Sequence, residues 1–172
     1  MVEHVLEKLV ELFTKGQAHF KVLEHEASGK TCQSVAEIRG TAVGQGAKAL
    51  VCHVKGNGLK LHVLAVLPAD KQADLTKLAV ALGARRASLA SPAEVTELTG
   101  CVFGAVPPVS FHSELKLVVD PYLFERFDEL AFNAGHLDRS IIIRTEDYRR
   151  IINPQLIDFI KMEVPTKTAL QS

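Results

Sequence analysis

Residues 40–55 read Gly-Thr-Ala-Val-Gly-Gln-Gly-Ala-Lys-Ala-Leu-Val-Cys-His-Val-Lys, a glycine-rich turn that leads into an apolar run. A strand through this run alternates its side chains between two faces, Ala47, Ala49 and Val51 on one and Lys48, Leu50 and Cys52 on the other. One face must be core, and burial of an unpaired charge is costly. Lys48 therefore stands at an open cleft or pairs with an anionic group. A solvated lysine at the start of a strand is the alternative that residue type alone favours.

The residues after this stretch complete a hairpin. Gly56-Asn57-Gly58 separates the first apolar run from a second one over residues 59–67. Such a triplet between two apolar runs is a strong hairpin signal. We expect this hairpin at the centre of the sheet.

Apolar spacing, capping residues and chain breakers predict the remaining elements. The predicted helices cover residues 2–13, 35–39 (capped by Ser34), 70–82 (capped by Asp70), 91–99 (capped by Ser91), 122–128 and 145–153. The predicted extended segments cover residues 19–23, 115–119, 129–132 and 140–144, with Asn133-Ala134-Gly135 as a turn. Strands and helices mix without regular alternation, so the predicted class is α+β, a mixed α/β fold. We expect one domain over residues 1–163 and a frayed tail over residues 164–172.

Composition excludes several classes of function. The 172 residues carry 20 basic and 20 acidic side chains, so no general attraction to nucleic acid or to a membrane surface is expected, and nucleic-acid contact would be local. Tryptophan is absent, which argues against an aromatic platform for single strands. The three dispersed cysteines, Cys32, Cys52 and Cys101, indicate reduced thiols in a cytoplasmic protein. No apolar run approaches the roughly 20 residues that span a bilayer.

Common catalytic motifs are absent from the sequence. A zinc site built from Cys52, His53, His62 and Cys101 lacks the usual ligand spacing, so no metal site is predicted. A cysteine nucleophile would need a base that the sequence does not place. His25, in a polar loop, is either a general base or a surface histidine.

The run Gly104-Ala-Val-Pro-Pro108 is the second unusual feature after Lys48. Adjacent prolines stiffen the chain and remove two backbone donors. The run is therefore either a rigid connector or a loop that holds its remaining amides and carbonyls in a fixed array beside a ligand.

Four segments occur in a familiar order: His25 after the first strand, Gly-Gln-Gly-Ala-Lys48-Ala-Leu-Val, Gly104-Ala-Val-Pro-Pro108 and Phe132-Asn-Ala-Gly135. Together they resemble the YbaK/prolyl-tRNA-synthetase editing-domain family over nearly the whole chain. Within that family the chain is most similar to the freestanding YeaK-type branch, which clears seryl- and threonyl-tRNA. Two further segments contribute to this similarity, Cys101-Val-Phe-Gly-Ala-Val-Pro-Pro and Leu123-Phe-Glu-Arg-Phe-Asp-Glu.

The resemblance implies a fold and an activity. The fold is a mixed, mostly antiparallel sheet, curled like a barrel and surrounded by helices, with a pocket for the 3′-terminal aminoacyl-adenosine. The activity is hydrolysis of the ester that links a wrong amino acid to tRNA, without a metal or cofactor. The implied partners are the aminoacylated acceptor end of tRNA and an aminoacyl-tRNA synthetase. The protein is expected to be a monomer or a weak homodimer and to act in the cytoplasm.

The resemblance also assigns roles to residues. Lys48 matches the essential lysine of the family, and Gly104, Ala105, Val106, Pro107 and Pro108 match its substrate-positioning loop. Asn133, Ala134 and Gly135 match its second turn near the pocket, although family members often carry a small hydroxyl residue where this chain has Asn133. A site that hydrogen-bonds a substrate hydroxyl would select serine or threonine, and His25, Thr31 and Ser140 are the residues considered for that contact. Two other functions remain open: a non-catalytic module that binds tRNA or a synthetase, and a hydrolase of small-molecule esters.

Overall fold

A computed structural model of the chain describes residues 2–26 and 32–162. Within these residues the α-helices are α1 (Val2–Lys15), α2 (Cys32–Arg39), α3 (Leu75–Ala81), α4 (Pro92–Thr99) and α5 (Thr145–Ile152). The strands are β1 (Phe20–Glu24), β2 (Ala47–Gly56), β3 (Leu59–Pro68), β4 (Arg86–Leu89), β5 (Leu115–Val119), β6 (Glu129–His136), β7 (Arg139–Arg144) and β8 (Gln155–Leu156). Short 3₁₀ helices cover Val43–Gln45 and Pro121–Phe124.

The strands form two sheets. One has three antiparallel strands in the order β1-β7-β6, and the other has five strands in the order β4-β2-β3-β5-β8, with β5 and β8 added in parallel. A bridge between Gly46 and Ala131 connects the start of β2 to β6. The expected α+β fold with a mostly antiparallel arrangement is confirmed, but the strands lie in two open sheets and do not close into a barrel.

The β2–β3 hairpin occupies the centre of the larger sheet, as predicted. Its strands pair without interruption from Ala47 opposite Pro68 to Gly56 opposite Leu59. Asn57 and Gly58 form the two-residue turn, with φ angles of 54° and 81°. Positive φ at both positions is the geometry that a tight hairpin turn needs.

Both faces of β2 are buried, rather than the one face that alternation required. Ala47 and Val51 belong to the core cluster that α1 and the two sheets share. Cys52 and Val54 belong to a second cluster against α3. Residues 63–67 of β3 are completely buried, which is typical of a strand covered on both faces.

Two predicted helix caps are wrong. Asp70 does not cap α3, because both of its carboxylate oxygens accept hydrogen bonds from Arg126; Asp74 is the N-cap instead, and it accepts from the amide of Lys77 at 3.0 Å. Ser34 lies inside α2, which begins at Cys32. The cap at Ser91 is confirmed, together with a left-handed Gly100 at the C-terminal end of α4.

Other elements also differ from the prediction. The segment Asn133-Ala134-Gly135 belongs to β6, where the pairing with β7 shifts register between Asn133 and His136. Gly135 has a φ of 88°, so it marks an irregularity inside the strand and not the end of it. The helix predicted over residues 122–128 is reduced to the short 3₁₀ helix, and β4 and β8 were not predicted.

None of the helices in the described part of the chain combines the length and apolar character needed to cross a bilayer. The tail over residues 164–172 lies outside the described residues, so the predicted domain boundary stays a prediction.

Candidate active site

A cavity of about 540 Å³ lies where the start of β2 meets β6 and the loop after α4. Strand β4 pairs with β2 only between Cys52 and Lys55, so the first half of β2 has an edge that β4 does not cover. Side chains from both faces of β2 reach the cavity along this edge. Its described walls are largely apolar, and their charged or amide side chains are Arg39, Lys48 and Asn133. An apolar pocket with a few convergent polar groups is the usual form of a small-ligand site.

Lys48 stands at this cavity and not in bulk solvent. Its Nζ donates a hydrogen bond to the carbonyl oxygen of Lys71 at 2.7 Å. No carboxylate of the described residues pairs with it. An ammonium group has three donors, so two N–H groups and a full positive charge remain for a ligand.

The carbonyl oxygen that accepts the hydrogen bond from Lys48 belongs to a segment that an ion pair holds in place. Arg126 donates two hydrogen bonds of 2.8 Å to the carboxylate of Asp70, and its guanidinium lies 4.6 Å from the ring centre of Tyr122. The hydrogen bond from Arg126 lowers the pKa of Asp70, and the same bond raises the pKa of Arg126. The pair fixes the chain directly before Lys71, which in turn fixes the position of the Lys48 ammonium.

A chain of hydrogen bonds runs behind the opposite wall. Arg39, from α2, donates through Nε to Oγ of Ser140 at 2.8 Å and through Nη2 to Oδ1 of Asn133 at 2.9 Å. Asn133 donates through Nδ2 to the carbonyl of Gly104 at 2.6 Å, and Nε2 of His25 lies 2.8 Å from Oγ of Ser140. These contacts connect α2, β6, β7 and the loop after α4. Arg39 was not among the residues predicted from the sequence.

The hydrogen bonds of His25 determine its tautomer. Its Nδ1 lies 2.7 Å from the carbonyl oxygen of Glu26, which can only accept, so Nδ1 carries a proton. In the neutral ring Nε2 then accepts from the hydroxyl of Ser140, and the same hydroxyl oxygen accepts from Arg39. Ser140 is completely buried, and neither it nor His25 lines the cavity. Thr31, the third residue considered for reading a substrate hydroxyl, lies outside the described residues.

The loop over residues 104–108 is held rigidly beside the cavity. Gly104 and Val106 line the cavity, whereas Ala105, Pro107 and Pro108 are buried. Gly104 has a φ of 90°, a conformation that residues with a Cβ rarely adopt. Within the described part of the chain, the amides of Gly104 and Val106 donate to no protein acceptor.

Two further contacts from outside fix this loop, in addition to the hydrogen bond from Asn133 to Gly104. The amide of Gly135 donates to the carbonyl of Ala105 at 3.0 Å, and the buried hydroxyl of Tyr148 donates to the carbonyl of Pro108 at 2.6 Å. Ala134 is a core residue. Gly135 therefore supports the loop from behind, Ala134 is part of the core, and Asn133 is the member of this trio that lines the cavity.

Large apolar side chains stand at the same cavity with part of their surface in solvent. Phe103 is 65% exposed, Leu89 54% and Leu137 37%, and all three line the cavity. None of them was predicted as a site residue, because single exposed apolar residues are common at protein surfaces and carry no functional signal of their own.

The two described cysteine thiols do not contribute a nucleophile. Burial raises the pKa of Cys52 to about 12, and burial also raises the pKa of Cys101. Both side chains are completely buried and neither lines the cavity. A thiolate is the reactive form of cysteine, and these surroundings disfavour it.

Comparison with known proteins identifies the family. The model of the aminoacyl-tRNA editing domain matches residues 26–151, which is most of the chain. The chain belongs to the aminoacyl-tRNA editing domain family. The resemblance drawn from the four sequence segments is therefore confirmed.

Close relatives of this editing domain are known. The chain is 65% identical over 153 residues to a protein of Escherichia coli strain K12 named Multifunctional Ser/Thr-tRNA deacylase ProXp-y, and the match covers 89% of this chain and 91% of the relative. The protein of the same name from Escherichia coli O157:H7 matches equally.

Solved structures agree with the fold of the editing domain. A structure described as a putative trans-editing enzyme for prolyl tRNA synthetase superimposes with a TM-score of 0.77 and 26% identity, covering 94% of this chain and 98% of that one. The structure of a hypothetical protein gives the same TM-score at 23% identity, with 90% and 99% coverage. The cavity of this editing domain thus lies in a fold that is shared over nearly its full length.

Proposed function

We propose that this editing domain is a trans-acting aminoacyl-tRNA deacylase that hydrolyses the ester of mischarged tRNA, with seryl- and threonyl-tRNA as its preferred substrates. The observation that carries the proposal is the position of Lys48, whose ammonium lines a mainly apolar cavity together with the rigid loop over residues 104–108. The activity named for the relative in Escherichia coli supports the proposed ester and the proposed amino acids.

The chemistry needs little more than orientation and charge stabilisation, because an aminoacyl ester is already reactive. The Lys48 ammonium binds the terminal phosphate or a backbone carbonyl and so holds the terminal adenosine. The amides of Gly104 and Val106 donate to the ester carbonyl and stabilise the oxyanion that forms there. Water, activated with help from the ribose 2′-hydroxyl, attacks the carbonyl carbon. The bond to the ribose oxygen breaks and that oxygen takes up a proton, which gives free amino acid and tRNA.

Asn133 supplies the contact to the hydroxyl of serine or threonine. Its amide oxygen has two lone pairs and its amide nitrogen two hydrogens. Arg39 uses one lone pair and the carbonyl of Gly104 uses one hydrogen, so one acceptor and one donor remain at the cavity. A site with such unsatisfied groups rejects an analogue that lacks the hydroxyl. Asn133 therefore takes the role for which His25, Thr31 and Ser140 were the candidates in the sequence.

The proposal agrees with the overall charge of the protein. With 20 basic and 20 acidic residues, the surface does not attract a long stretch of RNA, so the protein grips the acceptor end alone. The exposed ring of Phe103 offers a face on which the terminal adenine stacks. Charged tRNA is met in the cytoplasm, which is the proposed site of action. Association with a synthetase and the oligomeric state stay predictions.

The test is a deacylation assay over a panel of charged tRNAs with a matched pair of lysine variants. Lys48→Ala removes the cavity ammonium, and Lys55→Ala removes an exposed ammonium from the other end of the same strand. We expect Lys48→Ala to lower the rate on seryl- and threonyl-tRNA by about 1,000-fold, because a charge aimed at the reacting group is lost from a largely apolar site. Lys55→Ala should keep the wild-type rate.

Three outcomes would contradict parts of this proposal. Full activity of Lys48→Ala would remove the lysine from the mechanism. Binding of charged tRNA by the wild type without turnover would indicate a non-catalytic module. Equal turnover of tRNA and of free aminoacyl-adenosine would indicate a hydrolase of small esters. Circular dichroism and thermal unfolding of both variants separate these outcomes from a loss of fold.

A further inference from the structure

Three side chains of the types that bind metal ions meet at the end of the β2–β3 hairpin nearer the turn, away from the residues that line the cavity. His53 and His62 are directly opposite each other on β2 and β3, and their ring centres lie 4.5 Å apart. Glu94 reaches them from the first turn of α4. The three ligand atoms lie within 4.8 Å of one another, and none of these residues lines the cavity.

The two imidazole rings converge on one carboxylate oxygen. Nε2 of His53 lies 2.5 Å from Oε2 of Glu94, and Nε2 of His62 lies 3.5 Å from the same oxygen. Metal–ligand distances of about 2.0–2.2 Å in a tetrahedral zinc site place neighbouring ligand atoms about 3.3 Å apart. The His62–Glu94 separation already fits this value, and the His53–Glu94 separation needs to lengthen by about 0.8 Å.

The carboxylate is held so that one oxygen remains for a ligand. Oε1 of Glu94 accepts from the amide of Ser91 at 3.1 Å and from its hydroxyl at 3.0 Å, while Ser91 caps the helix through the amide of Glu94. An ordinary glutamate side chain is ionised at neutral pH, which is the form that binds a cation. The outer hydrogen bonds of Glu94 resemble those that orient metal ligands in known sites.

The side chains are placed for exchange with solvent. The exposed fractions of the His53, His62 and Glu94 side chains are 20%, 27% and 33%. Nδ1 of His53 is buried and has no hydrogen-bond partner among the described residues, so the polar contact of this ring is made through Nε2, toward Glu94. An ion can enter from outside without a rearrangement of the core.

We propose that His53, His62 and Glu94 form a structural site for a divalent transition-metal ion, with zinc as the metal that two imidazoles and one carboxylate suit best. Water completes the coordination. The metal connects the central hairpin to α4. Val95, the residue after Glu94 in this helix, lines the cavity. The ion therefore stabilises one wall of the cavity and takes no part in the hydrolysis.

Zinc chloride and cobalt chloride, added to untagged protein freed of metal with a chelator, test the site directly. We expect one zinc ion per chain with a dissociation constant on the order of 1 µM or tighter, weaker than a four-ligand structural site. Cobalt should give the visible absorption of a four- or five-coordinate site. At zinc concentrations 100-fold above that constant the melting temperature should rise by about 7 °C.

The variants are chosen to keep the fold. Glu94→Gln retains the hydrogen bonds of the helix cap but loses the anionic ligand, and His62→Gln removes one imidazole. Both should weaken zinc binding about tenfold or more and reduce the zinc-dependent rise in melting temperature to about half or less. His4→Gln, which changes an exposed histidine 3.8 Å from Glu7, is the control and should bind like the wild type.

The proposal is overturned if the wild type binds less than one zinc ion per chain, or if Glu94→Gln and His62→Gln bind as tightly as His4→Gln. An NMR titration of the wild type alone tests the site without relying on the folding of any variant. Titration with zinc should shift the imidazole NMR signals of His53 and His62. Shifts confined to His4, His19 or His112 would equally overturn it.

Discussion

The polar side chains at the two ends of the β2–β3 hairpin differ in whether they are paired with one another. At the cavity end, Lys48 binds a backbone carbonyl and keeps two donors and its charge for a ligand. Near the turn, His53, His62 and Glu94 converge on one another. The cavity end is thus prepared for an anionic or carbonyl oxygen, and the end near the turn for a cation.

This difference follows from the neighbours of each end. The first half of β2 does not pair with β4, so its edge opens into a cavity. Residues 52–55, in contrast, pair with β3 on one side and with β4 on the other. An open edge admits a substrate, and a fully paired strand holds its side chains at fixed separations. One hairpin can therefore carry a substrate site and a compact ligand cluster about half its length apart.

Replacing one glycine beside the cavity and one in the hairpin turn separates local strain from function. The loss of activity expected at the cavity exceeds those expected from changes at Arg39, Phe103 and Asp70. Gly104→Ala and Gly58→Ala each place a Cβ at a positive φ, 90° and 81°, and neither meets an atom closer than 3.9 Å. Both should lower the free energy of unfolding by about 1 kcal/mol. Only Gly104→Ala should reduce deacylation, by about 100-fold, because it displaces the loop amides.

Urea unfolding and the initial rate on seryl-tRNA measure the two effects. Similar losses of activity in both variants would mean that activity follows global stability. Equal, wild-type rates would mean that the geometry of the loop over residues 104–108 is not used in the reaction.

Arg39 tests whether the hydrogen-bonded wall acts as one unit. Arg39→Lys keeps the charge, but a single ammonium cannot reproduce the fork that reaches both Ser140 and Asn133. We expect a loss of about tenfold in kcat with seryl-tRNA, because Asn133 loses the bond that orients it. Arg139→Lys is the control, since Arg139 pairs at the surface with Glu24 and Asp138.

A change confined to KM, with an unchanged kcat, would count against a positioning role for Arg39. Thermal unfolding of the two arginine variants shows whether any loss is one of stability. A wild-type kcat in Arg39→Lys would show that the reaction does not depend on the hydrogen bonds from Arg39 to Ser140 and Asn133.

Local signals in the sequence predicted the elements that depend on neighbouring residues. The hairpin turn at Asn57-Gly58 and the cap at Ser91 need only a few adjacent side chains, and both were predicted correctly. Asp70 failed as a cap because its partner, Arg126, lies 56 residues away and has no local signature. The irregularity at Gly135 was mistaken for a turn because a glycine gives the same signal for both.

The same distinction explains which parts of the site could be predicted. Lys48 and the loop over residues 104–108 were singled out by their local patterns and the family resemblance, and the structure places both at the cavity. Arg39 was missed because its partners Ser140 and Asn133 lie 101 and 94 residues away. Glu94 lies in the helix that was predicted from its cap at Ser91, but its approach to His53 depends on how α4 packs on the hairpin, which no local pattern contains.

Phe103 allows a smaller and more specific test of the cavity end. Phe103→Leu keeps an apolar side chain but removes the ring proposed to stack on the terminal adenine, so KM for charged tRNA should rise about fivefold with little change in kcat. Phe111→Leu is the control, because Phe111 is 43% exposed but does not line the cavity. Steady-state kinetics on threonyl-tRNA compares the two. Equal KM values would remove the stacking contact from the proposal.

The ion pair between Asp70 and Arg126 should give the smallest effect, and its pH dependence identifies it. The folded state lowers the pKa of Asp70, so the pair stabilises the protein above the ordinary carboxyl pKa of 3.8, and this contribution disappears as the pH falls through the lower folded value. Asp70→Asn should therefore cost about 1 kcal/mol of unfolding free energy at pH 7 and much less near pH 3. Asp158→Asn, which removes a 72% exposed partner of Lys77, should change little at either pH. Urea titrations at both pH values measure the difference, and a cost in Asp70→Asn that does not shrink at low pH would mean that its loss of stability is not electrostatic.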